Sequence, residues 1–190
     1  MPLPEPAAKR EPLHRRTIEI VGYRREDGLY DIEGRLFDRK DVEFPVGGRR
    51  RPPGEAVHDM WLRITVDREL RIVDAAAATD AMPYAGSCDG ITPAYAKLVG
   101  LSIGPGYLRH VKELLGGVHG CTHLTELAGS LATAAFQTFA GQGLAPPDRK
   151  PPQLDRCHAL DSHSPTVARF YPKWYRGTAP AGEAGPTENH

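Results

Sequence analysis

The most constraining feature of this chain is a three-residue punctuation mark, Glu26-Asp27-Gly28, set between TIEIVGYRR (17–25) and LYDIEGRLFDRK (29–40). Asp-Gly between two alternating runs is a strong local instruction for a β-hairpin, because the turn needs positive φ and the flanks need a two-residue period. A Pro/Gly/Arg-rich loop (45–54) follows. A second hairpin is then expected, with AVHDMWLRITVD (56–67) turning at Arg68-Glu69 into LRIVDAAAATD (70–80). Successive strand side chains point to opposite faces. Met60, Leu62, Ile64 and Val66 therefore share an apolar face, His58 shares their parity, and Asp59 points the other way.

Beyond Pro83 the period changes. TPAYAKLVG (92–100) reads as a short helix capped by Thr92 with Pro93 at its first position. A second helix is predicted over 105–115, with Tyr107, Leu108, Val111, Leu114 and Leu115 on one stripe, ended by Gly116-Gly117. A third runs from 122 to 140, with Leu124, Leu127, Leu131, Ala135 and Phe139 inward. The fold class is α+β: an antiparallel sheet of two hairpins, then three helices packed on one face. One domain is expected over 14–177, with a Pro-rich linker near 141–153 (APPDRKPPQ at 145–153). After it, LDRCHALDSHSPTVARFYPKWY (154–175) would supply a last strand and turn. Residues 1–13 read as a flexible tail and 178–190 as a disordered one.

Composition narrows the function classes. Lys+Arg and Asp+Glu are both 24, so no global basic field exists to hold nucleic acid. The basic clusters at 14–16, 23–25 and 47–55 are interleaved with Glu19, Asp27, Asp31, Glu33, Asp38, Asp41 and Glu43, and read as solvated surface. No run is apolar for long enough to span a bilayer, and the N-terminus lacks the apolar core of a secretory signal. Three cysteines make no even disulfide framework, which points to a reducing, cytoplasmic setting. Another protein or a small molecule is the expected partner, neither nucleic acid nor membrane is, and the oligomeric state is left open.

The chemistry concentrates in GGVHGCTHLTEL (116–127). Cys121 opens the third helix, where unpaired N–H groups and the positive dipole end favour a thiolate. Gly116, Gly117 and Gly120 allow close backbone approach. His123 follows in the first turn. Two residues are about 200° apart around a helix, so Cys121 and His123 can meet one ion only if Cys121 sits at the cap. A buried small residue at a helix start explains Cys121 equally well, and a surface or ligand-orienting histidine explains His123. Glu126 is most simply a helix-dipole residue. Cys157-His158 reads as exposed or packing, and FYPKWY (170–175) as a packing latch.

The motifs HRR (14–16), GYRREDGLYDIEGRLFD (22–38), HDMWLRITVD (58–67), PYAGSC (83–88), LVGLSIGPGY (98–107), GGVHGCTHLTEL (116–127), CHAL and YPKWY together resemble a bacterial family known as domain of unknown function 2889. That resemblance implies no activity. The order of strands, cysteines and helices is also similar, more distantly, to the U-type scaffold proteins of iron–sulfur cluster assembly. Aligning HDMWLRITVD with the scaffold's first strand puts His58 at its aspartate, and the later motifs put Cys88 and Cys121 at its second and third cysteines. Its first cysteine falls near Ala56, and the histidine before its third cysteine falls on Gly120, so His119 or His123 would substitute.

If that similarity holds, His58, Cys88, Cys121 and His123 converge as a metal set. Two thiolates and two imidazoles suit zinc or iron. Asp59, Asp89, His119 and Glu126 stand in reserve as ligands or acid–base groups. Three functional expectations stay open. One is a small metal-binding protein that handles a metal or cluster for other enzymes. Another is an enzyme using Cys121 as an activated nucleophile, or a metal-bound water, with His123 as acid–base partner. The last is a structural or interaction domain with no metal.

Overall fold

The computed structural model describes residues 3–140, 148 and 150–177. The linker expected near 141–153 and the disordered tail expected over 178–190 fall largely or wholly outside these residues. The chain divides into two compact units, one ending at Ala140 and the other beginning at Gly141. Residues 3–13 carry no strand or helix and are exposed.

The first hairpin forms where the Asp-Gly signal puts it, with strands β1 (His14–Arg24) and β2 (Tyr30–Lys40). Gly28 takes φ 85°, and the Arg25 N–H donates to Leu29 O at 2.9 Å to close the turn. The strand starts earlier than the apolar alternation suggests, because His14, Arg15 and Arg16 pair with acids on or just past β2. The loop expected over 45–54 holds a small hairpin, β3 (Phe44–Val46) and β4 (Arg49–Arg51). Gly47 and Gly48, at φ 61° and 78°, supply the two positive-φ positions of a two-residue turn.

Strands β5 (Ala56–Val66) and β6 (Ile72–Ala81) form the second long hairpin. In its turn Asp67 Oδ1 accepts from the N–H groups of Glu69 (3.0 Å) and Arg71 (2.8 Å). The two long hairpins join into one four-stranded antiparallel sheet of order β1-β2-β5-β6.

Register turns this sheet into rows. Ile18 lies opposite Leu36 and Leu36 opposite Met60; Ile20, Gly34 and Leu62 form the next row, and Gly22, Ile32 and Ile64 the one after. Leu36, Leu62, Ile64 and Ile32 are fully buried beneath one long helix.

Two short elements lead up to that helix. Thr92–Leu98 is a 3-10 helix rather than an α-helix, and Thr92 Oγ1 donates backward to Asp89 O at 2.9 Å instead of capping forward. Helix α1 (Tyr107–Leu115) buries Tyr107, Val111 and Leu115, while Leu108 is 64% exposed, since the inward stripe runs strictly at four-residue spacing. Helix α2 (Thr122–Phe139) crosses β1, β2 and β5, burying Leu124, Leu127, Leu131 and Ala135. Each buried leucine contributes about 2 kcal/mol. A Cβ at Gly34 would lie 2.9 Å from Leu131 Cδ2 and 3.0 Å from Leu127 Cδ1, so the bare backbone there sets the helix-to-sheet distance. α2 thus lies on the sheet, α1 packs against α2, and the 3-10 helix packs against β6.

In the second unit no strand occurs among the described residues. The expected last strand is replaced by 3-10 turns at His158–Leu160 and Pro172–Trp174 and by helix α3 (Pro165–Phe170). Pro165 and Pro172 lack the N–H that a strand ladder requires, and each begins a helical turn instead. Ser164 Oγ caps α3 by accepting from Val167 N–H at 3.2 Å.

Candidate functional site

One row of the sheet breaks the apolar pattern. Arg16, Asp38 and His58 are register partners on β1, β2 and β5, on the face that α2 covers. Just past this row the β2–β5 ladder shifts register, between Asp38 and Arg39. The first turn of α2 brings His123 down onto the same place, and Glu126 reaches across to Arg16.

The start of α2 is held by a tyrosine. Tyr95, fully buried in the 3-10 helix, accepts at its hydroxyl from Cys121 N–H (3.0 Å) and lies 2.9 Å from both Cys121 O and Thr125 Oγ1. Cys121 therefore occupies the N-cap position in extended conformation, as the cap geometry requires.

Asp38 is the hub. Its side chain is only 3% exposed, and its oxygens face a ring of nitrogens. Arg16 Nε and Nη2 donate to Oδ1 and Oδ2 at 2.9 and 2.8 Å, a bidentate fork. His14 Nε2 lies 3.0 Å from Oδ1 and His58 Nδ1 3.1 Å from Oδ2. His123 Nε2 stands 3.8 Å from the same Oδ2. Arg16 Nη1 also donates to Glu126 Oε2 at 2.6 Å. The His58 and His123 rings lie face to face, centroids 3.9 Å apart and tilted by 35°.

These contacts shift the titration of three groups. Burial pushes the Asp38 pKa up, but the Arg16 fork and the bonds from His58 and His14 outweigh it and hold the carboxyl at about 2. Burial lowers the His58 pKa and so favours neutral imidazole, against the opposing pull of Asp38. For Cys121 burial acts upward, yet the His123 ring and the N–H groups of Leu124 and His123 win, and the thiol pKa is lowered. Its Sγ lies 3.8 Å from His123 Nδ1 and 3.8 Å from Met60 Sδ.

The expected site residues separate accordingly. His58 and His123, far apart in sequence, come together. Cys121 sits beside His123 but on the opposite ring nitrogen from Asp38. Cys88 is half-buried in the turn after β6, its N–H donating to Tyr84 O at 2.9 Å. Among the described residues, one ligand atom each from Asp38, His58 and His123 lies within 4.8 Å of the others, and no such trio includes Cys88 or Cys121.

The reserve positions fall elsewhere. Asp59 pairs with Arg35 on the outer face (2.7 and 2.6 Å), and Asp89 Oδ1 accepts from Gly86 N–H (2.6 Å). His119 is exposed in a 3-10 turn. Glu126 bonds Arg16.

Asp38, Arg16 and His14 were legible only as interleaved surface charge. The signal that finds them is register: counting outward from the Asp27-Gly28 turn sets Arg16 opposite Asp38.

Fold and site together define an α+β domain, a four-stranded antiparallel sheet roofed by a helix, with an aspartate–imidazole centre at one end of the covered face. The family described as protein of unknown function (DUF2889) matches residues 14–137, from the first residue of β1 to the last turn of α2, and the chain belongs to that family. No curated protein and no solved structure matches the chain. Among the described residues no helix is long and apolar enough to cross a membrane.

Proposed function

We propose that this protein binds a divalent transition metal, zinc or iron, through Asp38, His58 and His123. The observation that carries the reading is the convergence of one carboxylate and two imidazoles, from three separate elements, within 4.8 Å of one another. Two histidines and a carboxylate are the donor set of open zinc and non-haem iron sites, which keep a position for water or a client ligand. The protonation states fit: metal binding requires neutral imidazole and ionised carboxylate, the directions in which burial moves His58 and Arg16 moves Asp38.

Ligation through His123 Nε2 leaves Nδ1 facing Cys121, which then orients the ring rather than binding the ion. Cluster handling of the scaffold type would call for thiolates where this group has imidazoles and a carboxylate, so a single ion is the better fit. The open position accommodates both a metal-handling role and a metal-activated water.

A second reading rests on a separate observation. Cys121 Sγ, His123 and Asp38 stand in series, 3.8 Å from the two ring nitrogens of the imidazole in turn, with the thiol at a helix N-terminus. That is the order of a nucleophile, its base and an orienting carboxylate.

Equilibrium dialysis against zinc and against iron(II), followed by elemental analysis, separates the two. Metal binding predicts one ion per chain, retained in Cys88→Ala and lost in His58→Ala and in His123→Ala. The nucleophile reading predicts no bound metal, with iodoacetamide alkylating Cys121 faster than Cys157 at pH 7 and that advantage lost in His123→Ala. Wild-type protein that takes up neither metal overturns the proposal.

A further inference from the structure

We propose that β1 is a self-association edge: two copies of the chain pair β1 with β1 in antiparallel fashion about a twofold axis at Thr17, making one continuous eight-stranded sheet. This stands independently of the metal reading.

The two edges of the sheet differ. Along β6 the ladder to β5 carries register shifts at Asp59/Met60 and Thr65/Val66, and the start of β6 is covered: Ile72 N–H donates to Leu101 O and Gly100 N–H to Ile72 O, both at 2.8 Å. Bulges and cover are how a sheet edge is protected from further pairing. β1 has neither. It runs eleven residues in unbroken register with β2, contains no proline, and among the described residues pairs only with β2. Its outer row of backbone donors and acceptors is open to another strand. Leu13, Ile18, Val21 and Tyr23, along or just before this edge, are 54, 37, 40 and 47% exposed.

Charged residues blunt such an edge, but the two arginines nearest the proposed axis are already engaged by acids of their own chain. Arg15 Nε donates to both Asp41 oxygens (3.0 and 2.9 Å), and Arg16 is engaged by Asp38 and Glu126.

The occupant is argued from complementarity. A twofold that keeps both α2 helices on one face pairs residues of like parity. Centred on Thr17, it sets Thr17 opposite Thr17, Arg15 opposite Glu19 and Leu13 opposite Val21, with Ile18 beside Arg16. Threonine pairs, opposite charges and apolar pairs are the stabilising cross-strand combinations. Moving the axis to Glu19 sets two glutamates face to face, and moving it to Arg16 or Ile20 sets arginine against arginine. The helices do not collide: α2 lies over β1, β2 and β5, so two copies stand about three strand spacings apart, about 14 Å, beyond the 8–10 Å of packed helices.

The test uses the full chain with EDTA present. Sedimentation equilibrium up to about 200 µM, where micromolar assemblies are well populated, should give twice the 20.8 kDa chain mass. Thr17→Lys sets like charges opposite each other at the axis and should weaken association at least tenfold, with circular dichroism reporting that the fold is kept. Glu19→Arg should weaken it similarly, and Arg15→Glu combined with Glu19→Arg should restore it. In a Cys157→Ser background, Thr17→Cys should cross-link to its mate under diamide, whereas Val21→Cys, facing Leu13, should not. The cross-link decides the matter if Thr17→Lys does not fold. A monomer at every concentration overturns the proposal, as does a dimer that neither responds to Thr17→Lys nor cross-links through Thr17→Cys.

Discussion

Two aspartates organise two regions of this molecule, and they do so on different scales. Asp38 gathers side chains from β1 and β5, with His123 of α2 close by, residues separated by 20 or more positions in sequence. Asp155 gathers only its neighbourhood: the N–H and Oγ of Ser162, each at 2.7 Å, and the Lys150 ammonium. Both carboxyls are held below the usual range, Asp38 by Arg16 and two imidazoles against the cost of burial, Asp155 by Lys150 and Ser162. The Asp38 side chain is 3% exposed and the Asp155 side chain 41%. A charge satisfied across a sheet inside the fold depends on the whole fold being present. A charge satisfied by a loop in water depends on little beyond the loop.

The largest expected effect tests that contrast directly. Asp38→Ala leaves the partly buried Arg16 with Glu126 alone and should destabilise the first unit by about 3 kcal/mol, the low end for breaking one side of a buried ion pair. Asp155→Ala should cost far less, and only in its own unit. Each unit holds one of the two tryptophans, Trp61 and Trp174, so urea melts of Trp174→Phe and Trp61→Phe proteins read the units separately. Equal costs at the two aspartates would break the comparison.

The next effect sharpens it. Zinc at about 100 times its dissociation constant should raise first-unit stability by about 2.7 kcal/mol by mass action and leave the Trp174 melt unmoved. His123→Ala should abolish the gain.

Acid should then act on the metal-free first unit in two stages. The His58 pKa is lowered by folding, so the unfolded chain takes up that proton first and stability falls as pH drops below about 6.5. Asp38 is also lowered, so its contribution is full above about pH 4 and is lost as pH falls toward about 2. Fluorescence melts across pH 2–8 should show both slopes, with His58→Gln removing the upper one.

The smallest effect lies on the opposite face of the same sheet. Arg35 is forked on Asp59 and stacked 5.3 and 5.0 Å over the Phe37 and Trp61 rings, but in contact with water. Arg35→Ala should cost much less than Asp38→Ala and leave zinc affinity unchanged. A cost near that of Asp38→Ala would show that position on the sheet, rather than burial, sets the penalty.

Local signals were legible wherever the physics is local. Asp27-Gly28 and its flanks announced the first hairpin, and the Leu124, Leu127, Leu131, Ala135 spacing announced α2. The parity of His58 with Met60 placed it on the covered face. The β3–β4 hairpin was hidden because three-residue strands carry too little period to register. The late strand predicted after residue 154 was misread because a proline-interrupted apolar run suits a helical turn as well as a strand. At the site, His58 and His123 were legible as chemistry, whereas Asp38 and Arg16 looked like any alternating surface charge.

The sequence by itself determined the two long hairpins, the helices α1 and α2, the covered face of β5 and the Gly-rich approach to α2, because turn chemistry and side-chain period act within a few residues. Only the tertiary structure decided that Arg16, Asp38 and His58 form a row, that His123 closes over it, and that Cys121 and Cys88 stand outside the trio. Those placements depend on cross-strand register and on how closely α2 settles over Gly34, and both are set by the summed burial of residues distant along the chain.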